Sequence, residues 1–175
     1  FSDSQKKELR NANKLFVSGE YASAIDLLES SKGIFDSSDD KIKSQAMLLY
    51  GKIHTAMEDF ELAMKAFDMS RNLGTSDQLL DPEINKLETA IITSAVGDNE
   101  TENYLAAAKK LKMVYDLKKD VNQEYLYYAA SSAVNSQDYP VALEYYEELR
   151  DIKYEGIETK FYITEVSSGN EIEIN

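Results

Sequence analysis

His54 is the only histidine of the chain and cysteine is absent, so the side chains that most often bind transition metals or attack carbonyl carbons are scarce. One imidazole cannot assemble a multi-histidine metal site, and without thiols neither a thiolate zinc site nor a disulfide can form. His54 falls in a helical run at a position suited to packing, which makes it a satisfied, partly buried histidine rather than a ligand or general base. Asp98-Asn99-Glu100-Thr101-Glu102 spaces its carboxylates like a calcium loop. The sixth position is Asn103 instead of glycine and the twelfth is Lys109 instead of glutamate, so a solvated connector is the reading. Asn99-Glu100-Thr101 is also a glycosylation sequon, meaningful only in a eukaryotic secretory setting. No glycine-rich phosphate loop, nucleophile elbow or paired zinc motif occurs. With 32 acidic residues, two carboxylates meet easily by chance and their proximity signals no catalysis. The residue types predict no enzyme, no cofactor and no metal.

Binding chemistry has more to work with. There are 12 tyrosines, with Tyr125, Tyr127 and Tyr128 on one helical run and Tyr145 and Tyr146 on the next. Tyrosine offers large contact area with a polar tip, which suits interfaces. Inter-helix packing is expected to claim Tyr21, Tyr139 and Tyr146. The formal charge of -13 disfavours nucleic acid and anionic lipid, and steers the expectation towards neutral or basic partners. No apolar run is long enough to insert directly into a membrane as a span.

These side chains must be positioned by helices. Apolar spacing of three and four predicts helix pairs over about 4–32, 39–73, 82–118 and 122–151. Gly19 is a stop signal, Asp81-Pro82-Glu83 reads as the start of the third pair, and Asn122 reads as a cap. The acidic stretch 97–102 is expected to be a connector longer than the turns of the other pairs. After Gly156 the period changes to two, with Ser167-Ser168-Gly169-Asn170 as a turn, which predicts a short β-hairpin within 154–175. The absence of an initiator methionine before Phe1 implies a removed leader or an excised fragment. A stop inside the apparent strand 171–175 implies truncation there.

The pairs repeat a signature: Gly19-Glu20-Tyr21-Ala22-Ser23-Ala24, Glu58-Asp59-Phe60-Glu61-Leu62-Ala63 and Gln137-Asp138-Tyr139-Pro140-Val141-Ala142, with a divergent copy at Tyr104-Leu105-Ala106-Ala107. Over about residues 5–153 this resembles the tetratricopeptide repeat, a helix-turn-helix unit of roughly 34 residues. The best copy has Gly51 at the small site of the first helix, Asp59-Phe60 at the turn, Ala63, and Phe67 at the large site of the second helix. Ala130, Tyr139, Ala142 and Tyr146 match it in the last copy, and Ala12, Tyr21, Ala24 and Leu28 in the first. The third copy fits only around Ala90 and Ala107. The tryptophan of the first helix and the terminal proline of the repeat are missing throughout. The resemblance implies an all-α fold, a right-handed α-solenoid of about four hairpins over 1–153, followed here by the β-hairpin. The start at Gln5-Lys6-Lys7-Glu8-Leu9 and the passage through Tyr154-Glu155-Gly156 into strands are also similar to exported bacterial tetratricopeptide proteins. That places the expectation in the periplasm or cell envelope, with the cytoplasm as the alternative.

Such a solenoid is expected to bind a peptide or protein segment along the concave face lined by its first helices. The candidate contacts are Asn13 and Phe16; Leu48, Lys52 and Thr55; and Tyr127, Ser131 and Asn135. Leu9 and Leu48 occupy sites where a carboxylate-clamping member of the family would be polar, so a neutral or basic segment with apolar anchors is expected instead. The alternative is a scaffold that self-assembles through its terminal helix face or β-edge. The oligomeric state is left open by the sequence.

Overall fold

Alternating apolar stripes are carried by nine helices among the described residues: α1 (Ser2–Val17), α2 (Tyr21–Ser30), α3 (Lys32–Asp36), α4 (Asp40–Ala56), α5 (Phe60–Asn72), α6 (Asp77–Glu100), α7 (Tyr104–Leu117), α8 (Gln123–Asn135) and α9 (Tyr139–Asp151). The computed structural model describes residues 2–156, 161–164 and 171–174. The helices pack as consecutive pairs, α1 with α2, α4 with α5, α6 with α7 and α8 with α9, and α7 also lies along α8. The result is a helical repeat-like fold.

One turn recurs within every pair. Three residues separate the helices, and the middle one is left-handed: Gly19, Glu58, Glu102 and Gln137. The following amide reaches back five residues to close the turn, from Glu20 to Leu15 at 2.9 Å, Asp59 to His54 at 2.9 Å, Asn103 to Asp98 at 2.7 Å and Asp138 to Ala133 at 3.1 Å. This satisfies carbonyls that a helix C-terminus otherwise leaves unpaired. The third turn corrects the expected long connector at 97–102: Gly97 to Glu100 are the last residues of α6, and the turn is as tight as the others.

The start of the third pair also differs. α6 begins at Asp77 behind Ser76, and Pro82 lies inside it. Leu80 is fully buried, and only a helix running through Pro82 keeps Leu80 in line with Ile84, Leu87 and Ile91. Pro82 sits on the exposed side, where the carbonyl it leaves unpaired can be hydrated. The first pair gains an extra turn of helix, α3, because Phe35 is drawn into the core of α1, α2 and α4. Asp39 and Asp138 cap α4 and α9 by accepting from Ile42 N–H at 2.9 Å and Val141 N–H at 3.2 Å. Asn122 stands at the N-cap position of α8 as expected, but its side chain makes no capping bond and points into the fold instead.

Three cores are built from helices and the residues flanking them. Ala12, Ala24, Ala63, Ala107 and Ala130 are fully buried, and Ala142 nearly so, which lets backbones approach. The expected fold class needs one correction here. The fold is all-α: outside Phe161–Thr164 and Glu171–Ile174 the described residues form nine helices and their connections, so the expected addition of a β-hairpin does not change the class. Among the described residues Phe161–Thr164 and Glu171–Ile174 pair antiparallel with each other, Phe161 opposite Ile174. Two strands of four residues are too few to make a sheet layer of the fold. The expected turn at 167–170 lies outside the described residues.

A charged clamp ties α7 to α9. Lys112 lies 2.7 Å from Asp116 and 3.3 Å from Glu148, while Lys119 lies 3.6 Å from both carboxylates. Both ammonium groups sit over the buried Tyr115 ring, at 5.1 and 5.4 Å from its centroid. Burial, and then the Glu148 carboxylate, push the Tyr115 hydroxyl up to about 12. A phenol raised in the folded state stabilises below its unfolded value near 10 and loses that contribution as pH climbs through 12. Urea melts between pH 9 and 12 should therefore show a fall in stability that is shallower in Tyr115→Phe, after both are referenced to neutral pH. Parallel curves would contradict this role.

Candidate functional site

The face presented by the first helices contains a cleft between α1 and α4 of about 390 Å³. Asn13, Leu48 and Lys52, all expected from the sequence, line it together with Arg10, Lys14 and Gln45. Phe16 lies behind it: the Lys52 ammonium is held 5.3 Å from the Phe16 ring centroid. Thr55 is spent locally, its hydroxyl donating to the Gly51 carbonyl at 2.7 Å.

Arg10 and Lys14 were not anticipated. They follow Lys6 and Lys7 at one-turn spacing on α1, and that stripe was the available signal. Whole-chain charge conceals it. Residues 1–56 hold eight acidic and eight basic side chains, so the entire -13 falls on residues 57–175. Among the described residues Arg10, Lys14 and Lys52 enter no ion pair. The cleft therefore offers three cations and two side-chain amides beside an apolar floor of Leu9, Leu48 and Leu49.

On α6, Asn85, Lys86, Thr89 and Ala90 line a separate hollow of about 410 Å³. There Lys86 is already paired with Glu83 at 3.0 Å. On α8, Tyr127 is 40% exposed, Ser131 is half-buried and Asn135 is exposed. Tyr127 packs at 6.0 Å against Tyr128 and 6.3 Å against Tyr154, so its ring is presented on a bed of tyrosines. The expected contacts thus form two groups, one in the α1–α4 cleft and one on α8.

The expectation that Tyr139 and Tyr146 are consumed by packing is corrected: they are 63% and 41% exposed. Tyr115 and Tyr145 take the buried places, since they point back into the core shared by α7, α8 and α9. Tyr21 is half-buried beside Phe16, with ring centroids 5.8 Å apart.

A second cleft, about 340 Å³, opens between α2, α3, α4 and α5 and was missed. Met47, Tyr50 and His54, one stripe of α4, form one wall, with Leu62 and Met69 opposite. His54 stacks on Tyr50 at 5.9 Å, and its Nδ1 lies 3.3 Å from the Asp59 carboxylate. Tyr50 donates to Glu29 at 2.7 Å, and burial, followed by that carboxylate, pushes its hydroxyl up. His54 is thus engaged by a neighbouring ring and a carboxylate. Among the described residues no three His, Asp or Glu side chains gather as a metal site, and no helix is long and apolar enough to cross a membrane.

No protein-family model matches the chain, and comparison with curated proteins finds no match.

Proposed function

We propose that the chain is a non-enzymatic binding module of tetratricopeptide type that holds a peptide or protein segment along the face of its first helices. The observation that carries this reading is the α1–α4 cleft, where Arg10, Lys14 and Lys52 stand unpaired among the described residues beside Asn13, Gln45 and the leucine floor. Unpaired cations over an apolar floor suit a segment that alternates carboxylates with apolar anchors. The neutral or basic partner expected from net charge is replaced by an acidic one, because a ligand answers to the charges that face it. Exposed Tyr127 supplies a second anchor point on α8.

Binding can be tested with a short fluorescent peptide alternating glutamate and leucine, and a lysine-leucine peptide as control. Arg10→Ala combined with Lys52→Ala is expected to weaken the acidic peptide about tenfold, roughly the 1.4 kcal/mol of one charge-assisted contact. Raising salt should narrow the difference. Preference for the lysine peptide, or an unchanged affinity in the double variant, would reject this site. Location in the periplasm or cell envelope belongs to the same proposal and rests on the resemblance to exported proteins; fractionation of the source cells tests it.

A further inference from the structure

The second helices of the pairs share an outer face, and the following helix covers it. On α2, Tyr21, Ile25 and Leu28 share a core with Ile42, Ala46, Leu49 and Ile53 of α4. On α5, Phe60, Met64 and Phe67 share one with Leu80, Ile84, Leu87 and Ile91 of α6. Both covering helices carry the same stripe, apolar residues at relative positions 0, 4, 7 and 11. That spacing keeps one side of a helix against its neighbour.

α9 bears the face again. Tyr139, Leu143 and Tyr146 are placed about Ala142 as Phe60, Met64 and Phe67 are about Ala63. Here nothing covers them among the described residues: they are 63%, 59% and 41% exposed, against 5% for Phe60 and 2% for Phe67. Residues 152–175 contain no stripe at 0, 4, 7 and 11 that could fold back. A second copy of α9 is disfavoured by charge. Glu144 and Glu147 are exposed beside the stripe, and Arg150, the one cation of the helix, is held by Asp151 at 3.1 Å, so two such faces would oppose carboxylate to carboxylate.

We infer that α9 is a docking face for an amphipathic helix of another protein, one with leucine or isoleucine at positions 0, 4, 7 and 11 and lysine or arginine flanking them. The helix lies against α9 as α6 lies against α5, burying Tyr139, Leu143 and Tyr146 while its cations meet Glu144 and Glu147. The interface continues a packing that the chain already uses twice, and it is separate from the α1–α4 cleft.

The test uses the whole chain and a synthetic helix with the α6 stripe and lysine and alanine elsewhere, beside a peptide of identical composition with the stripe scrambled. The striped peptide should bind at least tenfold tighter than the scrambled one. Leu143→Lys should erase that preference with an unchanged thermal melt, since Leu143 is largely exposed. Lys52→Ala should keep the preference, which separates this face from the cleft. Equal binding of the two peptides, or a preference that survives Leu143→Lys, overturns the inference. So does a dimer in light scattering that Leu143→Lys dissolves, because a second copy would then be the occupant.

Discussion

Phe67→Ala is expected to destabilise the chain by about 3–5 kcal/mol, the range for removing a buried phenylalanine. Phe67 is 2% exposed and belongs to the core that joins α5 to α6, so its loss opens a cavity between the second and third pairs. The same ring explains Gly51. A Cβ built at Gly51 would lie 2.3 Å from Phe67 Cε1, closer than real Cβ contacts come, so the buried ring would have to shift. Gly51→Val should therefore cost about 1–3 kcal/mol by overpacking. Combining Gly51→Val with Phe67→Leu should cost less than the sum of the two single changes, since the smaller side chain admits the larger neighbour. Strict additivity in urea melts would show that the glycine is not there to seat the ring.

Asn122→Ala is expected to cost about 1–3 kcal/mol, the penalty for leaving buried polar groups without partners. Asn122 is 5% exposed, and its amide donates to the Val114 carbonyl at 2.9 Å and to Glu88 at 2.7 Å. Lys118 also donates to Glu88, and to Asn85 at 2.6 Å, so one short loop after α7 holds α6 by two side chains. Removing the amide leaves the Val114 carbonyl unpaired and takes a donor from a carboxylate that is only 16% exposed. Asn122→Asp should be worse than alanine at neutral pH, because it places a second anion against Glu88, and acidification should narrow the gap. Equal stability of the alanine and aspartate variants across pH would disprove that contact.

Both effects lie between pairs, where the interacting residues are distant in sequence and local signals say least. The helices of α4, α5, α8 and α9 were legible to within a residue or two because their apolar stripes and turn residues are local signals. The third pair was misread because Pro82 and the acidic run 97–102 carry strong local signals for breaks that burial of Leu80 and the shared turn at Glu102 override. Asn122 stands at the N-cap of α8, where capping is the local use of asparagine, yet its side chain bonds partners 8 and 34 residues away. Of the site, Asn13, Leu48 and Lys52 were legible as one face of successive helices. Arg10 and Lys14 were hidden by averaging charge over the whole chain.

The sequence by itself determined an all-helical repeat-like body, with small residues where backbones meet, because spacing of apolar and small side chains along one helix is a property of the chain alone. Tertiary structure decided which faces remain uncovered: that Tyr146 is exposed where Phe67 is buried, and that three cations share one cleft. The physical reason is that burial depends on what the next helix brings, and identical positions in a repeat differ only in their neighbours.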